Sequence, residues 1–170
     1  MNALELLREQ HEEVMDLFSQ IEETEDPVEK EDLVQALTDN LAAHSTIEER
    51  LFYPAAYSGA TKELLAEARD EHLAVKRLLV DLLSLTPDDE SFDAKITVLK
   101  EQVEHHVEEE EMELFPIVRL ALRPETLKEL GDQMEDMFNT EMNGDPANGI
   151  PDQVFEAAPQ SLHEPLSERR

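Results

Sequence analysis

Two segments of this chain repeat one another. HSTIEERLFYP, starting at His44, aligns residue for residue with HVEEEEMELFP, starting at His106. The offset is constant: 106 minus 44, 110 minus 48 and 116 minus 54 all give 62, and His11 and His72 stand 61 apart. A repeat of this length carrying helix formers on both sides is what duplication of an αα-hairpin leaves behind. Two such hairpins close into a four-helix bundle.

The rest of the sequence fits that architecture. The chain has only 4 glycines, and its prolines punctuate long stretches rich in Leu, Glu and Ala, which favours helices joined by short turns. The pattern predicts helices over about Asn2–Thr24, Val28–Tyr57, Thr61–Leu85 and Phe92–Leu122. Pro54 and Pro116 bend or end the second and fourth, and "TPDDES" supplies a turn before the fourth. A shorter fifth helix, PETLKELGDQMEDMF, begins with Pro124 at a favourable first-turn position. The expected fold is an all-α, up-down-up-down four-helix bundle over residues 1–140, with a loosely ordered C-terminal tail over 141–170.

Each of the four long helices interrupts its inward apolar stripe with histidine. The first steps through Leu4, Leu7, His11, Val14, Phe18 and Ile21, and the third through Leu65, Ala68, His72, Val75, Leu79 and Leu82. The second gives Leu37, Leu41, His44, Glu48 and Leu51, and the fourth Leu99, Val103, His106, Glu110 and Ile117. These spacings of three and four place each series on one helix face.

Counted from the shared turns of an antiparallel bundle, the four histidines differ in height by at most about three residues, or roughly 4–5 Å at helical rise. They therefore meet at one level. Glu48 and Glu110 lie one turn beyond His44 and His106, on the same faces. Burying two carboxylates without partners costs several kcal/mol each, a penalty that a shared cation removes. Four imidazoles and two carboxylates without sulfur suit iron, with Mn or Zn as other candidates. Two carboxylates near the axis can bridge two cations, with His11 and His44 on one, His72 and His106 on the other, and Glu48 and Glu110 between them.

Composition narrows the partners. Lys and Arg number 14 against 42 Asp and Glu, a formal charge of -28, which disfavours both nucleic acid and anionic membrane surfaces. Without cysteine, neither disulfides nor thiolate metal sites can form. The start, MNALELLREQHEE, has no signal-peptide character, and a cytoplasmic location is expected.

With these residues in place, the chain resembles the hemerythrin-like, or HHE cation-binding, family through His11, HSTIEERLFYP, DEHLAVKRLL and EHHVEEEEMELFP, and onward to about residue 140. The resemblance implies a non-haem diiron centre, two iron ions with an oxo or hydroxo bridge. Its metal ligands would be His11, His44, Glu48, His72, His106 and Glu110. It also implies small ligands such as O2, peroxide or nitric oxide, and roles in oxygen or iron sensing or oxidative-stress response. The other functional class is an oxidoreductase with catalase- or peroxidase-like or nitric-oxide-consuming activity.

The sequence departs from the oxygen carriers of this family in two places. A fifth histidine is expected four residues after His72, where Lys76 stands; this lysine is read as snorkelling outward, the other reading being an ammonium that faces the cluster and favours anions. The carriers also place a carboxylate five residues after the last histidine, which would select Glu111, whereas the internal repeat selects Glu110. Glu49, Glu108, Glu109 and Glu111 are assigned to a solvated face. His105 is expected at or outside the rim, Tyr53 in packing, and His163 away from the core. The terminal LHEPLSERR is a candidate docking element for a protein partner.

Overall fold

The computed structural model of the protein describes residues 1–158. Helix α1 spans Ala3–Glu23. Its start is fixed by a reciprocal cap: the Asn2 side chain accepts from the N–H groups of Leu4 and Glu5, and the Glu5 carboxylate accepts from the Asn2 N–H at 3.0 Å. Such caps satisfy donors that the first helical turn leaves orphaned. Helix α2 spans Pro27–Ile47; Asp26 accepts from the Val28 N–H, and Pro27 sits where the helix needs no donor.

The helical path continues beyond α2 through a π-helical turn, Glu48–Phe52, and the short α3, Tyr53–Ala56. Helices α4, Lys62–Leu83, and α5, Phe92–Glu109, form the second hairpin. A second π-helical turn, Glu110–Leu114, and α6, Phe115–Ala121, follow α5. The helices expected over 28–57 and 92–122, with a bend or end at Pro54 and Pro116, each carry instead a wide turn just before the proline. In both, the residue before proline bonds five residues back: Tyr53 N–H to the Glu48 carbonyl, and Phe115 N–H to the Glu110 carbonyl. Pro54 and Pro116 have no N–H to continue the ordinary ladder, and the widened register carries the chain past them without ending the helical path.

Helices α1, α2, α4 and α5 form the bundle, and α7, Pro124–Met142, packs across α1 and α2. Gly131 lies inside α7, where glycine disfavours helix by about 1 kcal/mol. Close approach explains it: a Cβ there would lie 2.6 Å from the Met1 carbonyl oxygen and 2.7 Å from the Asn2 carbonyl carbon.

The segment beyond residue 140 departs from the expectation of a loose tail as far as it is described. A 3-10 turn, Pro146–Gly149, packs on α2, and α8, Ile150–Glu156, packs on α4. Ala147 and Ile150, spaced by one helical turn, are buried; two apolar anchors are too few to register as periodicity. Residues 159–170, with His163 and the LHEPLSERR element, lie outside the described residues.

The core divides into two apolar clusters. One gathers Leu4, Leu7, Phe52, Leu65, Phe115 and Met134, and the other Phe18, Leu37, Leu79, Phe92, Leu99 and Ile150. The histidine and carboxylate layer lies between them in sequence on all four bundle helices. No helix among the described residues is long and apolar enough to cross a membrane.

Candidate metal centre

All six residues singled out for a metal are buried. His11, His44, His72 and His106 are 4–5% exposed, Glu48 0% and Glu110 2%. Their ligating atoms gather in two groups, one of His11, His44, Glu48 and Glu110, the other of His72, His106 and Glu48, each within 4.8 Å internally. Glu48 belongs to both. Its Oε2 lies 3.3 Å from His44 Nε2 and 3.1 Å from His72 Nε2. Glu110 Oε2 lies 3.5 Å from His11 Nε2 and 3.8 Å from His106 Nε2.

The orientation of the imidazoles follows from their outer nitrogens. His11 Nδ1 pairs with Glu111 Oε1 at 2.8 Å, His44 Nδ1 with Gln10 Oε1 at 2.8 Å, His72 Nδ1 with Glu49 Oε1 at 2.9 Å, and His106 Nδ1 with Glu71 Oε2 at 2.8 Å. Each partner is an oxygen acceptor, so each Nδ1 carries the proton. All four Nε2 atoms then present lone pairs inward when the rings are neutral, an arrangement that fixes both tautomer and ring angle around a metal.

Sequence reasoning assigned Glu49 and Glu111 to the solvated face; both are instead partly buried acceptors for histidine. Gln10 and Glu71, which carry no such signal in the sequence, hold His44 and His106 in the same way. Each of these four oxygen acceptors is next to a histidine of the cluster on its own helix, or follows a carboxylate of the cluster by one residue, but holds a histidine on a different helical segment. That cross-helix pairing leaves no periodic trace in the sequence. Glu108 is exposed, and His105, 60% exposed, lies 3.2 Å from Glu109 and 3.5 Å from Glu71.

Two further expectations change. Lys76 is largely buried rather than extended into solvent: it is 6% exposed, and its Nζ donates to Glu49 Oε1 at 2.9 Å at the edge of the bundle. Tyr53 does more than pack: fully buried, it donates its hydroxyl to Glu110 Oε1 at 2.9 Å, and its hydroxyl oxygen lies 3.2 Å from His72 Nε2.

Electrostatics shows how tightly these charges are opposed. Burial disfavours charge on His11, but hydrogen bonds to Glu110 and Glu111 override it and raise its pKa to about 9. Burial lowers His44 to about 3 despite nearby Glu48. Burial pushes Glu110 upward, as does repulsion from Glu48. Burial acts in the same direction on Glu48, yet attraction to His44 and hydrogen bonds to His106 and His72 hold it well below the usual carboxylate range. Two carboxylates this close stay charged together only where cations or protons offset them.

The fit to a cation is seen in atoms that lack protein partners. Among the described residues, His11 Nε2, His44 Nε2, Glu48 Oε1 and Glu110 Oε2 are buried side-chain atoms without a hydrogen bond. They belong to the four residues of the first group. Orphaned buried acceptors are rare because each costs about 1–3 kcal/mol, and a metal ion held by these four residues would satisfy such atoms.

The matching family model is the hemerythrin HHE cation-binding domain, over residues 2–118. The chain belongs to that family. A solved HHE cation-binding domain-containing protein from Mycobacterium kansasii shares its fold at a TM-score of 0.75 and 29% identity, covering 85% of this chain and 89% of that one. A DNA nickase from Nostoc sp. is 31% identical over 129 residues; the match covers 74% of this chain and 36% of the nickase. The HHE chain thus spans about a third of that relative. The family's description names cation binding, and the buried His and Glu cluster of this chain could hold metal ions.

Proposed function

We propose that this HHE protein holds two non-haem iron ions and binds O2, or the related small molecules peroxide and nitric oxide, or iron itself, in oxygen or iron sensing or the response to oxidative stress. The observation that carries this reading is the set of four inward Nε2 atoms around Glu48 and Glu110, each imidazole held by an oxygen acceptor at Nδ1. His11, His44, Glu48 and Glu110 would hold one ion, and His72, His106 and Glu48 the other. Imidazole and carboxylate donors suit iron. Bound iron would supply Lewis acidity and one-electron redox chemistry to a small ligand.

The protein's own residues set the conditions. Glu111, Gln10, Glu49 and Glu71 hold the imidazoles in one tautomer. Tyr53 keeps a hydroxyl proton between Glu110 and His72. The two apolar clusters limit water around the layer.

The second reading is an oxidoreductase that consumes peroxide or nitric oxide. It is favoured by the sparse second group, with three donors where Lys76 replaces a histidine and pairs with Glu49; fewer protein donors leave more positions for a reacting ligand. DNA cleavage is no part of either reading, since the excess of 42 acidic over 14 basic residues opposes a phosphate backbone.

Anaerobic iron loading followed by metal analysis tests the shared premise, with about two irons per chain expected from the two groups. A metal content near zero sinks both readings. An oxidised spectrum that reverts on deoxygenation supports binding, and catalytic loss of peroxide or nitric oxide supports the enzyme.

A further inference from the structure

A narrow chamber of about 30 Å3 lies against the four imidazoles; Val75, Leu79 and Val103 are among its apolar walls, with Ser45 and Lys76 beside them. Outside it, a wider pocket of about 530 Å3 opens to solvent between the first π-helical turn, α4 and α8. Lys76 lines both. Because its Nζ is held by Glu49, which lines the outer pocket alone, its aliphatic stem forms the chamber wall and its ammonium faces outward.

We infer that Lys76 is the gate and charge filter through which small anions, of the size and charge of hydroperoxide or azide, pass from the outer pocket to the metal cluster. The inference rests on the diiron reading above. The chamber's volume admits a ligand of only a few atoms. Three cations, Arg50, Arg69 and Lys76, line the outer pocket of an otherwise acidic protein; Glu49 and Glu156 line it too, and Glu141 lies 3.7 Å from Arg50. Glu49 is occupied twice, by Lys76 Nζ and by His72 Nδ1, each at 2.9 Å. Arg69 lies over the Tyr53 ring at 5.6 Å and has no carboxylate partner among the described residues.

A lysine ammonium has three donors. Among the described residues Lys76 makes one hydrogen bond, to Glu49, so its other donors are free to meet an arriving anion. Rotation about the stem then opens the wall while His72 keeps Glu49 in place. Val107 forms another wall, but the surface outside it carries Glu104, Glu108 and Glu111. Those carboxylates repel anions on that side.

The test uses the full chain, iron-loaded, with metal content checked for every variant. Azide association with the oxidised form and nitric oxide association with the reduced form are followed by stopped-flow absorption. Lys76→Met keeps the stem's bulk without its charge. It is expected to slow azide on the order of tenfold and abolish the salt dependence of that rate, with nitric oxide within about twofold. Ala157→Trp, which fills the outer pocket, slows azide as well. Azide rates within about twofold of wild type in both variants, or azide slowed instead by Val107→Trp, would overturn the gate. Relaxation of the Val75 and Leu79 methyl protons by dissolved O2 in the metal-free chain supplies a readout independent of iron. Lys76→Ala should increase it, and no increase rejects the gate. A chain that takes up no iron sinks the diiron reading, and this last measurement then decides the gate alone.

Discussion

His11 on α1 and Glu111 in the second π-helical turn, 100 positions apart in sequence, share a 2.8 Å contact between Nδ1 and Oε1. Arg8 joins it from α1, donating from Nε to the other carboxylate oxygen at 3.2 Å. Glu110 turns the opposite way, into the buried layer. Neighbouring glutamates thus face the metal centre from inside and outside. Glu110→Ala is expected to lose iron binding, whereas Glu111→Ala keeps both ions but weakens affinity by about 10- to 100-fold. Metal titration of the two variants separates these outcomes, and the reverse order would reassign the ligand.

Tyr53→Phe removes the hydroxyl between Glu110 and His72 while retaining the buried ring. Glu110 Oε1 then loses its donor, so the metal-free protein should lose about 1–3 kcal/mol. Iron content should stay at the wild-type value. Urea unfolding of the metal-free variant checks the first expectation and metal analysis the second.

Gly131→Ala would gain helix propensity yet drive a methyl group into the backbone of Met1 and Asn2. Backbone cannot swing aside as a flexible side chain can, so the close approach should dominate. A net loss of about 1–3 kcal/mol is expected. Thermal unfolding is the measurement, and a raised Tm would show that α7 is not seated this closely on α1.

Metal should stabilise the native state, since its ligands converge only after folding. At a free iron concentration 100 times the dissociation constant, linkage adds about 2.7 kcal/mol. Chelator treatment under anaerobic conditions should therefore lower Tm, and adding iron should restore it. An unchanged Tm in protein verified to bind iron would contradict folding-coupled assembly of the site.

Legibility differed among the residues for physical reasons. Glu48 and Glu110 were readable because they interrupt apolar stripes and recur at a fixed offset. Glu49 and Glu111, one position further on, looked like surface charge, since a helical pattern reports only which face a residue occupies. The π-helical turns were hidden as well: proline announced a perturbation but not whether the helix would end, bend or widen. Lys76 was read as snorkelling outward, but the partner that holds its ammonium, Glu49, sits on the first π-helical turn, outside its own helix.

The sequence by itself determined the bundle, its internal duplication and the layer of His11, His44, His72, His106, Glu48 and Glu110, because periodicity and repeat length are local properties of the chain. Only the tertiary structure decided which oxygen holds each Nδ1, where Lys76 places its charge and how Ile150 helps cover the bundle. Those relations depend on the distance between helices, which each stripe leaves open until packing sets it.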